Sequence, residues 1–105
     1  MKRARSYEKE LKQELHDPVQ AAGYLEAAYS DPDRRVFLLA LKDVVEAHSG
    51  ISRIARTAGL DRRHLYVMLS RNGNPEWFSI NRLLDALGLR LSIEPKPHRP
   101  EQKAA

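Results

Sequence analysis

The stretch from Ser49 to Asn74, SGISRIARTAGLDRRHLYVMLSRNGN, constrains this chain most. Ala55 and Gly59 stand four residues apart, the small-residue spacing that ends the first helix of a helix-turn-helix. The alanine lets a second helix cross closely, and the glycine takes the left-handed C-cap conformation without a Cβ penalty. Leu60 then reads as a buried turn residue and Asp61 as the N-cap of a new helix. Apolar residues recur at helical spacing: Ile51, Ile54 and Ala55 before the turn, Leu65, Met68 and Leu69 after it. Arg62, Arg63, Tyr66 and Ser70 are left outward on the second helix. That face is basic and hydrogen-bonding, as a helix lying in a DNA groove requires.

Two ordinary antiparallel helices with solvated arginines would show the same periodicity, so charge placement decides between the readings. Residues 1–48 carry 8 Lys and Arg against 9 Asp and Glu, whereas residues 49–105 carry 10 against 5. Within 49–75 alone, Arg53, Arg56, Arg62, Arg63 and Arg71 face a single acid, Asp61. The net charge of +4 therefore resides on the half whose pattern suggests DNA binding.

A chain of 105 residues with 42% hydrophobic content forms one domain with a modest core, of a size that often completes its burial by dimerising. The absence of cysteine excludes disulfides and thiolate metal sites and fits a cytoplasmic protein. No apolar run reaches membrane-spanning length, and MKRARSYEKE has no apolar segment behind its charges, so it does not read as a secretory signal.

Taken in order, residues 1–6 read as a flexible basic arm, with Lys2, Arg3 and Arg5 within possible reach of DNA. Residues 7–48 read as N-terminal helices that support the core and offer a surface for a partner. The first runs from Tyr7 to about His16. Asp17-Pro18 restarts the chain as N-cap and first helical residue. The next helix, Pro18 to about Ser30, is expected to bury Val19, Ala22, Leu25 and Ala28 or Tyr29. Asp31-Pro32-Asp33 opens a third helix to His48, with either Asp as cap. Its apolar residues cover more than half its circumference, so it is either the central helix or buried further by a second subunit; the central place is favoured because the helix leads straight into the helix-turn-helix.

Residues 49–95 read as the helix-turn-helix domain with a closing helix and strand. Asn72-Gly73-Asn74-Pro75 is a turn, and Trp77 and Phe78 are expected in the core, with base stacking by exposed aromatics as the alternative. Ser79 is expected to cap a helix Ile80–Leu87, closed by Gly88. Leu89 to Pro95 alternates with period two and reads as a short β-strand. A lone strand leaves its backbone groups unpaired, so pairing with the same strand of a second subunit is expected. The alternative is an unpaired extended segment packed on the last helix. Residues 96–105, Pro-rich and charged, read as a disordered tail. The fold class is all-α: a helical bundle containing a helix-turn-helix, with that short C-terminal β-strand pairing across a dimer.

A Tyr at position 7, then DPVQAAGYLEAAYSDPDRRVFLLALKDVVEAHSGISRIARTAGL, then a GNP turn and an LLDALGLRLSIEP ending together resemble the addiction-module antidote family. The resemblance spans about Tyr7 to Pro95. It implies a Cro/C1-like helix-turn-helix and a type II antitoxin that neutralises a RelE/ParE-type toxin and, as a dimer, binds operator DNA and represses its own operon. The family usually carries Ser where this chain has Asp61. Both residues cap well, but a carboxylate repels phosphate, so Asp61 is given no phosphate contact. Seven acids of the N-terminal half (Glu8, Glu10, Glu14, Asp17, Glu26, Asp31 and Asp33) suit a basic toxin, although an ordinary solvated helix surface would look the same.

The DNA-contacting candidates follow from position. Arg62 and Arg63, in the first turn of the second helix, are candidates for bidentate guanine contacts. Tyr66 and Ser70 lie one and two turns on, and His64 points sideways toward the backbone. Ser52 and Arg53 near the start of the first helix, and Arg71 and Asn72 in the following loop, are phosphate candidates. An enzyme is not expected, nor any cofactor. His16, His48, His64 and His98 are scattered without metal-ligand spacing, and no phosphate loop or nucleophile motif occurs. The competing readings are a stand-alone helix-turn-helix repressor without a toxin, and a protein-interaction module that no longer binds DNA.

Overall fold

Short acidic residues ahead of apolar runs set where three of the helices begin. In the computed structural model, which describes residues 2–97 and side chains from Ser6 onward, Asp17 accepts from the Val19 amide at 3.0 Å and Pro18 opens the helix behind it. Asp33 likewise accepts from the Arg35 amide at 3.0 Å, and Asp61 from the His64 amide at 3.0 Å. Each carboxylate satisfies an N–H group that the first helical turn leaves without a partner. The described residues form six helices: α1 (Lys2–Leu15), α2 (Pro18–Tyr29), α3 (Arg34–His48), α4 (Ile51–Ala58), α5 (Arg62–Met68) and α6 (Trp77–Ala86). The first begins at Lys2 rather than Tyr7. No described helix is long and apolar enough to cross a membrane.

The long helix α3 packs against α1 and α2 on one side and meets α4 at its end, while α4 holds α5 and α6. Leu38, Ala40, Leu41, Val44 and Val45 of α3 are buried. Leu41, Val44 and Val45 join Leu15, Leu25, Ile54, Leu65 and Leu83 in one continuous apolar core. The central role expected of this helix is what its packing shows.

Four further expectations are corrected. On α2, Leu25 and Ala28 are buried as expected and Ala21 joins them, but Ala22 is only half-buried and Val19 and Tyr29 are each 77% exposed. At helical spacing Ala21, Leu25 and Ala28 share one face, and Val19 falls opposite it. The last helix starts at Trp77, behind Glu76, and Ser79 lies buried inside it instead of capping it. Trp77 and Phe78 are not core residues: they are 66% and 64% exposed, on the first turn of α6. Finally, no strand occurs among the described residues. Alternation encodes a strand only where a neighbour completes the ladder, and this single chain offers Leu89 to Pro95 no such neighbour. After the Leu89 amide bonds the Leu84 carbonyl at 2.8 Å, the segment runs on irregularly, with Ile93 exposed. The tail from His98 lies outside the described residues, as do the side chains of Lys2, Arg3 and Arg5.

One polar contact ties α2 to α3. The half-buried Tyr24 hydroxyl donates to Asp43 Oδ2 at 2.7 Å. Burial, and then this bond, push the phenol from 10.0 up to about 12. The folded state thus favours the neutral phenol, and that contribution is complete below pH 10 and lost as pH rises to about 12. Across that window the melting midpoint of the natural chain is expected to fall more steeply than that of Tyr24→Phe. Parallel curves would show that the contact contributes nothing.

Candidate nucleic-acid interface

The turn between α4 and α5 is only Gly59-Leu60-Asp61. Gly59 adopts φ +69°, the Leu60 amide reaches back to the Ala55 carbonyl at 2.9 Å, and the Gly59 amide bonds that of Arg56 at 3.2 Å. This double bond pattern satisfies the last carbonyls of α4 and reverses the chain, and only glycine takes such a φ without strain. Arg82 of α6 locks the corner from outside. Its Nη1 donates to the Gly59 carbonyl at 3.1 Å while its guanidinium lies 4.8 Å from the centroid of the Phe78 ring. The sequence pattern gave no sign of this contact.

Beneath the turn, Ile54, Ala55, Leu65, Met68 and Leu69 are buried, as the spacing predicts, and Ala58 joins them; Ile51 and Leu60, expected inside, are only half-buried. The opposite side of α5 is open. Arg62, Arg63, His64, Tyr66 and Val67 are all exposed. Asp61, Arg62, Arg63 and Tyr66 line one shallow depression, so the structure brings these four together. Val67, 58% exposed and one turn beyond Arg63, is an apolar member of this face that charge-based reasoning passed over. Its signal is the i+4 spacing, and an exposed apolar group there suits a thymine methyl.

The remaining candidates flank this face. Ser52 and Arg53 are exposed in the first turn of α4, and Arg71 and Asn72 are exposed in the loop after α5. Ser70 is exposed, but its hydroxyl donates to the Val67 carbonyl at 2.6 Å and so keeps only acceptor capacity for a ligand. Arg71 lies near the start of α3. The Asp33 carboxyl is lowered to about 2, chiefly by hydrogen bonds from the Arg35 side chain and amide, and the Arg71 charge adds to this. Among the described residues, no three His, Asp or Glu side chains converge as metal ligands. His16 and His48 approach each other, with ring centroids 6.2 Å apart, and His64 joins neither of them in a cluster.

Residues 6–95 match the family model described as "Probable addiction module antidote protein". The chain belongs to this family. An uncharacterized protein of Haemophilus influenzae is 34% identical over 71 residues, covering 68% of this chain and 72% of that one. No solved structure matches. The family span coincides with the Tyr7–Pro95 resemblance, so it takes in the supporting helices as well as the α4–α5 unit. An addiction-module antidote has a toxin of some kind as its partner.

The cap at the base of this antidote's α5 is testable. Asp61→Ala is expected to lower unfolding stability by about 0.5–2 kcal/mol, whereas Asp61→Ser should stay close to the natural chain. The check is a shift of the urea midpoint at unchanged m-value. No loss in Asp61→Ala would show that the cap is immaterial, and equal losses in both variants that serine does not replace the carboxylate.

Proposed function

We propose that this antidote is the antitoxin of a type II toxin–antitoxin pair. It neutralises a RelE/ParE-type toxin in the cytoplasm and, as a dimer, binds operator DNA through a Cro/C1-type helix-turn-helix to repress its own operon. The observation that carries the DNA half is the two-sidedness of α5: Leu65 and Met68 buried beneath, Arg62, Arg63 and Tyr66 exposed above. A helix so divided can enter the major groove without disturbing the core.

In this reading Arg62 and Arg63 present planar donor forks to guanine edges. Tyr66 and Val67 fill the groove beside them, and Ser70 accepts from a base or from water. Arg53 and Arg71 neutralise phosphates, with Ser52 and Asn72 as neutral partners, and His64 faces the backbone. Phosphate contacts fix the register; the α5 arginines choose the sequence. A contact between two copies that covers Leu91 and Ile93, 43% and 94% exposed, would set two reading helices one DNA turn apart.

A titration of DNA from just upstream of the gene, against scrambled DNA at several salt concentrations, tests the operator claim. Arg62→Ala or Arg63→Ala should each cost roughly 1–3 kcal/mol of specific binding and relax specificity at one base. Arg53→Ala should weaken all sequences alike and make the salt dependence shallower. A folded chain with no preference over scrambled DNA refutes the reading.

The toxin half is supported by charge. Glu8, Glu10, Glu14, Asp17, Glu26 and Asp31 are all exposed on the first two helices and the turn behind them. These acids alternate with the exposed Lys9 and Lys12, so they offer a basic partner local ion pairs that weaken as salt rises. Neutralising Glu8, Glu10 and Glu14 to Gln should slow association with the co-encoded toxin, most at low salt. Unchanged association kinetics would move the contact elsewhere.

A further inference from the structure

The loop that follows the proposed reading helix is held by a residue from the other half of the chain. Arg34, the first residue of α3, donates from Nη1 to Asn74 Oδ1 and from Nη2 to the Gly73 carbonyl, both at 3.2 Å. The two bonds span some 40 residues of sequence. They close the loop from one side. From the other side the loop presses on the end of α5. Gly73 is buried, and its amide bonds the Ser70 carbonyl at 2.9 Å. A Cβ on Gly73 would collide with the Met68 carbonyl oxygen and lie 3.0 Å from that of Ser70. Gly73 is thus caught between the last turn of α5 and the Arg34 guanidinium.

We infer that Arg34 is a positioning residue for operator binding. It does not touch DNA, but it fixes the loop that carries Arg71 and Asn72 in the register that phosphate contact needs. The inference rests on the DNA-binding reading above. A loop that must be ordered on binding loses conformational entropy at that moment; one already clamped has lost it on folding. The guanidinium fork suits this role because it reaches two oxygens at once with fixed geometry. Asp33 and Arg35, its neighbours, are occupied with each other at 2.8 Å and leave Arg34 as the member of the trio that reaches across. The clamp also makes the register of the reading head depend on the α2–α3 corner, at the end of α3 opposite its junction with α4.

The test measures binding of the upstream DNA by the full chain, natural and with Arg34→Ala, Arg34→Lys or Arg71→Ala, each over a series of salt concentrations. Arg34→Ala is expected to weaken binding on the order of tenfold with the salt slope unchanged. Arg71→Ala should make the slope shallower by about 0.9, as loss of a phosphate contact does. Arg34→Lys keeps the charge but not the fork and should bind no better than Arg34→Ala. In Arg34→Ala the Gly73 amide should also exchange with solvent faster, while core amides and the melting midpoint hold. Undiminished binding by Arg34→Ala, restoration by lysine, or a shallower slope for Arg34→Ala would each overturn the inference and leave the DNA reading intact. If the natural chain shows no preference for the upstream DNA, both fall together. Should Arg34→Ala fail to fold, Asn74→Ala removes one of the two acceptors and is expected to weaken binding at constant slope; undiminished binding there overturns the clamp.

Discussion

The burial of α3 is the constraint on which everything else rests. Its Leu41 and Val45 are completely removed from solvent, and Val44 nearly so. They form a wall with α1 and α2 on one side and the α4–α6 unit at its far end. Helices as short as α4 and α5, eight and seven residues, do not persist in water by themselves. They exist because Ile54, Leu65 and Met68 find an apolar surface already assembled. The α4–α5 unit and its support thus share one core.

Polar groups do a different job: they fix ends and corners. Three aspartates start three helices, Arg82 pins the α4–α5 turn, and Arg34 pins the loop beyond α5. Taken singly, exposed contacts of this kind contribute little to stability. Their value is geometric, since each one removes a freedom from a segment that packing alone would leave loose. Among the described residues, no buried side-chain polar atom lacks a hydrogen-bond partner.

What the sequence disclosed, and what it withheld, divides along the same line. The caps at Asp17 and Asp61, the corner at Gly59 and the buried set around Ala55 and Leu65 were legible because each depends on a few neighbouring residues. The burial of Trp77 and Phe78 was misjudged because apolar character does not say which side of a helix meets a neighbour. Phe78 shares an outward face with Arg82, one turn away, and stacks there. The strand was misjudged because alternation is a local signal while pairing is not. Arg34 and Arg82 were invisible for the same reason: their partners lie 39 to 40 and 23 residues away, and no local pattern encodes the approach. On the candidate interface, the outward residues of α5 were legible from helical phase, but the local use of the Ser70 hydroxyl was not.

The two-sidedness of α5 separates what holds the chain together from what it presents. Leu65 and Met68 are answerable to the core, and their volumes are fixed by it. Arg62, Arg63, Tyr66 and Val67 answer to nothing inside the chain, because none belongs to the core. Their identities can drift without altering the scaffold. Two copies of such a gene in one genome could therefore diverge in what they recognise while keeping the same buried residues, and so become insulated from each other by a few surface changes.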